Sequence, residues 1–247
     1  MTELQEAARL LTESRHSTAF SGAGISVESG IPPFRGPEGL WSRYDPSVLD
    51  LSVFYRRPRE TWEVIREIFY DFFGQARPNR AHQVLARMEE AGLLQSVITQ
   101  NIDHLHQEAG SRAVWEFHGT SRHLSCLECG ARYSAEQLDL SSLPPRCGCG
   151  GLLKPDFIFF GEGIPEEAYR KAVEESEQAE VFLVIGTTGE IMPASLIPYE
   201  AKEHGARIIE VNTEASSFTR SITDVFLQGK STEIFAELEP LILSDAS

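Results

Sequence analysis

The sequence is poor in basic residues and in cysteines, and it has no long apolar run. Only 22 of its 247 residues are lysine or arginine, against 37 aspartate and glutamate residues, which gives a formal net charge of -15. Binding to the phosphate backbone of DNA or RNA relies on clustered basic side chains, so this balance argues against a nucleic-acid-binding protein. If charge selects a partner, that partner is cationic.

The longest apolar run is much shorter than the roughly 18 residues of a membrane-spanning helix. It covers Val181 to Ile185, which is the length of a buried strand. The N-terminal segment carries Glu3, Glu6 and Arg9 among its apolar residues, so it lacks the apolar core of a signal peptide. We therefore expect no membrane partner and a cytoplasmic location. With 41% hydrophobic and 24% charged residues, the composition is that of a globular protein.

The four cysteines form two closely spaced pairs. Cys126 and Cys129 make a C-x-x-C pair, and Cys147 and Cys149 make a C-x-C pair after 17 intervening residues. Two such pairs at this separation are typical of a zinc site in which each pair lies on a tight turn. Two disulfides are the alternative, which an intracellular location disfavours. Because four thiolates fill a tetrahedral shell, we expect a structural Zn²⁺ and not a catalytic one.

Predicted strands and helices alternate along much of the chain. The sequence predicts strands over 17–21, 97–99, 181–185 and 208–211, and helices over 3–14, 82–91, 165–179 and 194–203. This alternation is typical of an α/β fold with a parallel sheet, in which ligands bind beyond the carboxyl ends of the strands. The residues expected to face that crevice are Ser21, Gly22, Gln100, Asn101, Gly186, Thr187 and Asn212.

Two segments interrupt the alternation and predict a smaller, inserted domain. Residues 36–80 contain an aromatic-rich amphipathic helix that includes Trp62, and residues 121–154 contain the cysteines. The remaining segments, 1–35, 81–120 and 155–247, would form the large domain.

The turn Gly22-Ala23-Gly24 follows the first predicted strand. It lacks the third glycine of the dehydrogenase-type G-x-G-x-x-G pattern, because Val27 stands there. A glycine turn is often only a turn. Residues 25–36 add backbone N–H groups, a hydroxyl, an aromatic ring and an arginine, which suit an anionic, aromatic ligand.

The sequence resembles the sirtuins through a series of short motifs in the order of that family. The motifs are Gly22-Ala23-Gly24-Ile25-Ser26, Phe34-Arg35-Gly36, Thr99-Gln100-Asn101-Ile102-Asp103, His118-Gly119, the two cysteine pairs, Phe160-Gly161-Glu162, Gly186-Thr187-Thr188 and Val211-Asn212. The resemblance covers nearly the whole chain. It implies an NAD-dependent protein lysine deacylase, built as a Rossmann-like parallel sheet with a smaller inserted zinc-binding plus helical domain.

By resemblance, the partners are acyl-lysine proteins or peptides. The acyl oxygen attacks the nicotinamide ribose, nicotinamide leaves, and the products are free lysine and O-acyl-ADP-ribose. His118 would be the base, with His104 and His106 as nearby competitors. Asn101 and Asp103 would hold the nicotinamide carboxamide and a water, although the two could equally form an Asx turn that opens a helix.

The resemblance also places NAD and the substrate. The implied NAD-binding residues are Gly22, Ala23, Gly24, Ile25, Ser26, Phe34, Arg35, Trp41, Gln100, Asn101, Ile102, Asp103, His118, Gly186, Thr187, Thr188, Asn212, Thr213, Glu214, Lys230 and Ser231. The implied substrate-binding residues are Ile158, Phe160, Gly161, Glu162, Glu190, Ile191, Ile65 and Ile68. The substrate is expected to enter as an extra strand.

Four positions in three segments depart from the family pattern. Ile65 and Ile68 stand where sirtuins that prefer succinyl or malonyl groups carry Tyr and Arg, which predicts acetyl or longer neutral acyl groups. Glu190 lies in a stretch that is usually apolar, and it is either a solvated charge or a contact for basic residues that flank the target lysine. Pro33 replaces the usual Asp or Thr, which leaves the behaviour of its loop open.

Two other functions fit the same sequence. A mono-ADP-ribosyltransferase or an NAD glycohydrolase would activate the same glycosidic bond. A non-catalytic module would bind acyl-lysine or ADP-ribose without turnover, and the presence of Asn101, Asp103 and His118 counts against it.

Overall fold

The computed structural model describes residues 1–36 and 39–243, without the side chain of Phe72. The predicted domains also include Pro37, Glu38 and residues 244–247, which lie outside the described residues. The strands are β1 (Ser17–Ser21), β2 (Ser96–Thr99), β3 (Val114–Glu116), β4 (Gly119–Cys126), β5 (Arg132–Ser134), β6 (Leu153–Phe157), β7 (Val181–Ile185), β8 (Arg207–Asn212) and β9 (Val225–Gln228). The α-helices are α1 (Glu3–Glu13), α2 (Leu51–Arg56), α3 (Pro58–Ile65), α4 (Arg80–Glu90), α5 (Leu105–Glu108), α6 (Glu166–Gln178), α7 (Ile197–Glu203) and α8 (Ser231–Ile242).

Six strands of the described residues form a parallel sheet in the order β3-β2-β1-β7-β8-β9. The predicted α/β class with a parallel sheet is confirmed. From β1 the chain builds outward to β2 and β3, and then continues on the other side of β1 with β7, β8 and β9. The carboxyl ends of β1 and β7 are therefore neighbours at the point where the strand order reverses, which is where such sheets bind ligands.

Strands β1 and β7 are buried along their whole length, because helices cover both faces of the sheet. Ala19 and Leu183 pack into the apolar cluster on one face, while Phe20 and Phe182 pack into the cluster on the other. Successive residues of a strand point to opposite faces, so each strand feeds both clusters in alternation. Because both faces of β1 and β7 are buried, a shift in the pairing of the two strands would disturb both apolar clusters, and this fixes where the strand ends meet.

The remaining strands of the described residues form an antiparallel sheet, β5-β4-β6. The aromatic-rich segment 36–80 forms α2, α3 and a π-helical continuation over Arg66–Phe72. One apolar cluster joins this segment to the antiparallel sheet, and the indole N–H of Trp62 donates to the Leu153 carbonyl over 2.9 Å. Strands β4 and β6 cross the predicted boundaries at 120 and 154, and the division into domains stays a prediction.

Among residues 1–36 and 39–243, no helix combines the length and the apolar character that crossing a lipid bilayer requires.

Candidate active site

The floor of the crevice is formed by glycines at the ends of β1 and β7. The Gly22 N–H donates to the Ile185 carbonyl over 2.9 Å, and the Gly24 N–H donates to the Gly186 carbonyl over 2.8 Å. A Cβ on Gly24 would lie 2.6 Å from the Gly186 Cα. Only glycine fits this approach, which leaves a groove lined by backbone, as a bound dinucleotide requires.

Two further strand ends, those of β2 and β8, meet the end of β7 at Thr187. The Gln100 amide donates to the Thr187 hydroxyl over 3.1 Å, and the Asn212 amide donates to the Thr187 carbonyl over 3.0 Å. The predicted meeting of Gln100, Thr187 and Asn212 is therefore present in the structure.

Ser26 joins the two polar residues that follow β2. Its hydroxyl donates to Asp103 Oδ2 over 2.7 Å and accepts from the Asn101 amide over 3.2 Å. Asn101 is buried, and its amide also donates to the Gly22 carbonyl. Asp103 Oδ1 accepts from the Leu105 N–H over 3.0 Å, so the Asx turn that opens α5 is formed as well. Burial raises the pKa of the Asp103 carboxyl, and its hydrogen bonds only partly offset this.

His118 lies between β3 and β4 and is half-buried. Its Nδ1 lies 3.0 Å from the Gln100 carbonyl oxygen, and its own carbonyl accepts from the Ile158 N–H over 2.9 Å. Burial lowers the pKa of His118, so the imidazole is neutral near pH 7. Since Nδ1 must donate to the carbonyl, Nε2 is an unprotonated acceptor.

The competing histidines have other surroundings. His106 is fully buried, and its Nε2 lies 2.8 Å from the Ser21 hydroxyl. His104 Nδ1 lies 3.6 Å from a carboxylate oxygen of Glu116. Neither contacts the Gln100 carbonyl that orients His118.

The other predicted NAD residues lie on several loops and turns, and their contact with NAD stays a prediction. The rings of Phe34 and Trp41 are tilted against each other with centroids 5.5 Å apart, and Arg35 is exposed. Ala23, Gly24, Ile25 and Ser26 lie in a 3₁₀ turn after β1, and Ile102 is buried after β2. Thr188, Thr213, Glu214 and Lys230 are exposed, while Ser231 is the buried first residue of α8. The Lys230 ammonium lies 3.9 Å from Glu233.

Six of the eight predicted substrate residues lie on two loops, and Ile65 and Ile68 lie in the helical segment. Phe160 is 51% exposed, and its N–H donates to the Leu49 carbonyl over 2.7 Å. Glu190 is exposed after Gly189, where a Cβ would lie 2.2 Å from the Ser217 hydroxyl. Ile191 is half-buried. Ile65 and Ile68 are completely buried in the apolar cluster of the helical segment, so their part in substrate binding stays a prediction.

A cavity of about 280 Å³ lies beside Asp103, and we call it the rear cavity. Its apolar lining is Phe69, Phe73, Ala76, Leu105, Ala135 and Leu140, and its charged lining is Asp103, Glu108, Arg122 and Glu136. The Arg122 guanidinium forms ion pairs with both Glu108 and Glu136. Sequence reasoning missed Arg122, which lies in the predicted small domain and matches no motif.

The four cysteines lie together and fit a zinc ion. All four sulfurs lie within 4.8 Å of one another, with Cys126–Cys149 and Cys129–Cys147 separations of 3.6 Å. A tetrahedral Zn–S length of about 2.3 Å requires sulfur separations of about 3.8 Å. The cysteines are free, so the disulfide alternative is wrong. All four ligand positions are taken by protein, as in a structural site.

Comparison with known proteins places this geometry in a family. The model of the Sir2 family matches residues 22–193, and the chain belongs to that family. The chain is 47% identical to NAD-dependent protein deacylase 2 of Pyrobaculum aerophilum, over 94% of this chain and 92% of the relative. It is 44% identical to the NAD-dependent protein deacylase of Thermococcus kodakarensis, over 95% and 94%. A solved complex of a Sir2 protein with a p53 peptide and NAD⁺ superposes with a TM-score of 0.89 at 37% identity, covering 96% of this chain and 97% of that one.

Proposed function

We propose that the protein is an NAD-dependent protein lysine deacylase that yields nicotinamide, O-acyl-ADP-ribose and free lysine. The observation that carries the proposal is the arrangement of the Asn101–Ser26–Asp103 group and the free Nε2 of His118 at one crevice. The names of the relatives and the peptide complex of a Sir2 protein support it.

NAD, when bound, supplies the ribose that receives the acyl group. His118 Nε2 accepts the proton from a ribose hydroxyl, and the Gln100 carbonyl holds the imidazole in the tautomer that can do so. Asn101 and Asp103 hold the nicotinamide end, with Ser26 fixing their distance. Phe34 shields the reacting atoms from water. Arg35, Thr187 and Asn212 face the phosphates and the adenosine, because an anionic cofactor needs local donors in a protein of this net charge.

The proposed substrates carry neutral acyl groups. Ile65 and Ile68 are apolar and buried at the positions where succinyl-preferring sirtuins carry Tyr and Arg. They offer no cation to an acyl carboxylate. We expect acetyl and butyryl peptides to be deacylated faster than a succinyl peptide of the same sequence. A succinyl preference would exclude this part of the proposal.

The proposed peptide site lies between residues 158–162 and 189–191. Glu190 is exposed there and has no basic partner among the described residues. It therefore attracts basic residues that flank the acyl-lysine. Acetyl peptides with arginine flanks are compared with glutamate-flanked peptides, using the parent protein and Glu190→Gln. If the ratio of the deacylation rates of the two peptides is the same in both proteins, Glu190 is only a solvated charge.

Mass spectrometry of the products tests the function itself. The parent protein is incubated with NAD and an acetyl-lysine peptide, and O-acetyl-ADP-ribose is expected in step with nicotinamide. Nicotinamide without peptide identifies an NAD glycohydrolase, and a peptide that gains ADP-ribose identifies a transferase. Peptide binding without turnover identifies a non-catalytic module. The cytoplasm is the proposed location, which cell fractionation checks.

A further inference from the structure

Lys154 on β6 carries a buried ammonium group. Its side chain is 8% exposed, and Nζ lies 2.8 Å from Glu162 Oε2. The Nζ also donates to the carbonyl oxygens of Pro155 and Phe157, each over 2.9 Å. An ammonium has three N–H donors, so these three acceptors satisfy it completely. It also lies 4.3 Å from the centroid of the Phe159 ring. Every one of these partners belongs to the short segment 155–162.

Glu162 passes this constraint to the backbone. Its Oε2, which pairs with Lys154, also accepts from the Phe159 N–H over 2.6 Å. The Glu162 N–H donates to the Phe159 carbonyl over 3.0 Å. The backbone from Phe159 to Glu162 therefore forms a bend around the ion pair. The bend depends on the Lys154 ammonium, which lies inside it.

The segment held in this way is residues 158–161, which we call the peptide-facing segment. One end is attached to the proposed base, because the Ile158 N–H donates to the His118 carbonyl. The middle is attached to Leu49 and Leu51 through both backbone groups of Phe160. The N–H and the carbonyl of Gly161 make no hydrogen bond to any of the described residues, so they are available to an added strand.

We propose that Lys154 is a positioning residue for the acyl peptide. Its ammonium, neutralised by Glu162, sets the conformation in which the peptide-facing segment presents its free backbone groups next to His118. The proposal rests on the proposed function, because it takes this segment as the peptide site. Without the ammonium, the Glu162 carboxylate is left partly buried and unpaired, and the bend must open to hydrate it. Because the partners are local to residues 155–162, the NAD crevice is not affected.

The experiment compares the parent protein with Lys154→Met, which has similar length but no charge. We expect the KM for an acetyl peptide to rise about tenfold, equivalent to about 1.4 kcal/mol, while kcat and the KM for NAD change less than twofold. Lys154→Arg restores the charge and donors, so it should recover part of the peptide KM. The matched control is Arg132→Met, which removes the exposed cation of the Arg132–Asp156 pair on the same sheet and should leave all three constants unchanged. An equal loss in kcat and in both KM values, or an unchanged peptide KM, would overturn the proposal.

A second variant covers the case in which Lys154→Met does not fold, as judged by zinc content and melting temperature. Glu162→Gln keeps an acceptor for the Phe159 N–H but removes the ion pair, and it should raise the peptide KM in the same way. Direct peptide binding, measured by fluorescence anisotropy, separates this proposal from the proposed function. If the parent protein binds the peptide about tenfold more tightly than the variants but has no deacylase activity, the positioning role stands and the enzymatic function is wrong. If the parent protein deacylates the peptide while parent and variants bind it equally, the positioning role is wrong.

Discussion

The Nδ1 of His118 lies 3.0 Å from the carbonyl oxygen of Gln100, the residue that follows β2. A carbonyl can only accept, so this contact decides which ring nitrogen carries the proton and leaves Nε2 as the acceptor. The same Gln100 side chain reaches Thr187 at the end of β7. Gln100 therefore orients the proposed base with its backbone and connects two strand ends with its side chain.

The acid side of the pH–rate profile should follow His118. Burial disfavours the imidazolium and lowers the pKa of His118 below its ordinary value of about 6.5. The neutral base therefore persists to lower pH, and the midpoint of the fall in kcat/KM should lie below pH 6.5. Initial rates with an acetyl peptide between pH 5 and 8 measure this. An acid limb centred above pH 6.5 would contradict the assignment, and His118→Ala should lower the rate about 10² to 10⁴-fold.

Ser26→Ala should lower kcat because Asn101 and Asp103 lose their shared partner. A hydrogen bond to a charged group contributes about 1.5–3 kcal/mol, which corresponds to about a 10 to 100-fold loss. Peptide-dependent nicotinamide release is the measurement. Ser47→Ala is the matched control, since the Ser47 hydroxyl bonds to Asp45 on an exposed 3₁₀ turn. Equal rates for both variants would remove Ser26 from the catalytic arrangement.

Zinc removal should unfold the antiparallel sheet before it affects the parallel one. Once the ion is gone, no bond to a metal holds the four sulfurs within 4.8 Å of one another, and two of the four cysteines, Cys126 and Cys147, are buried. A chelator should lower the melting temperature in step with release of one zinc ion per chain, and Cys149→Ser should do the same without a chelator. An unchanged melting temperature after complete zinc loss would show that the ion is not needed for stability.

Stability should decrease as the pH falls from 6.5 to 4. His82 and His106 are buried with their ring centroids 4.9 Å apart. Burial lowers the pKa of His82 to about 4 and holds that of His106 well below 6.5. The unfolded chain therefore takes up these protons at a higher pH than the folded chain, and the free energy of unfolding falls through this window. For His82 alone the loss is on the order of 3 kcal/mol.

Urea unfolding at pH 7.5, 6 and 5 measures this dependence. His82→Gln should reduce it, whereas His204→Gln, at an exposed site on the helix end, should not. A parent protein with the same free energy of unfolding at pH 7.5 and pH 5 would show that the buried pair does not control acid stability.

The crevice could be predicted from the sequence because it depends on strand ends. Strand β7 is a short apolar run that ends at Gly186, and the buried strand β1 runs directly into Gly22. Once such strands are parallel, their carboxyl ends must share an edge. Strands β3 and β9 were not predicted, since Val114–Glu116 has only 3 residues and Val225–Gln228 only 4.

The contacts between distant side chains could not be predicted in this way. A lysine such as Lys154 is almost never buried without a partner. Its partner is Glu162, which a bend in the chain brings back next to it. Arg122 meets Glu136 only because β4 lies next to the turn that follows β5. The sequence shows a proline after Lys154 and a glutamate after Gly161, but neither residue predicts the distance between Lys154 and Glu162.

The position of His118 has a mechanical consequence. Its side chain is attached to the end of β2 in the parallel sheet, and its backbone is attached to Ile158, just after β6 in the antiparallel sheet. A rotation of one sheet against the other that pivots at this residue would move the far rim of the crevice while the imidazole stays bonded to Gln100 and the His118 carbonyl stays bonded to Ile158. Such a rotation would make room for a bulky peptide and leave the proposed proton acceptor in place.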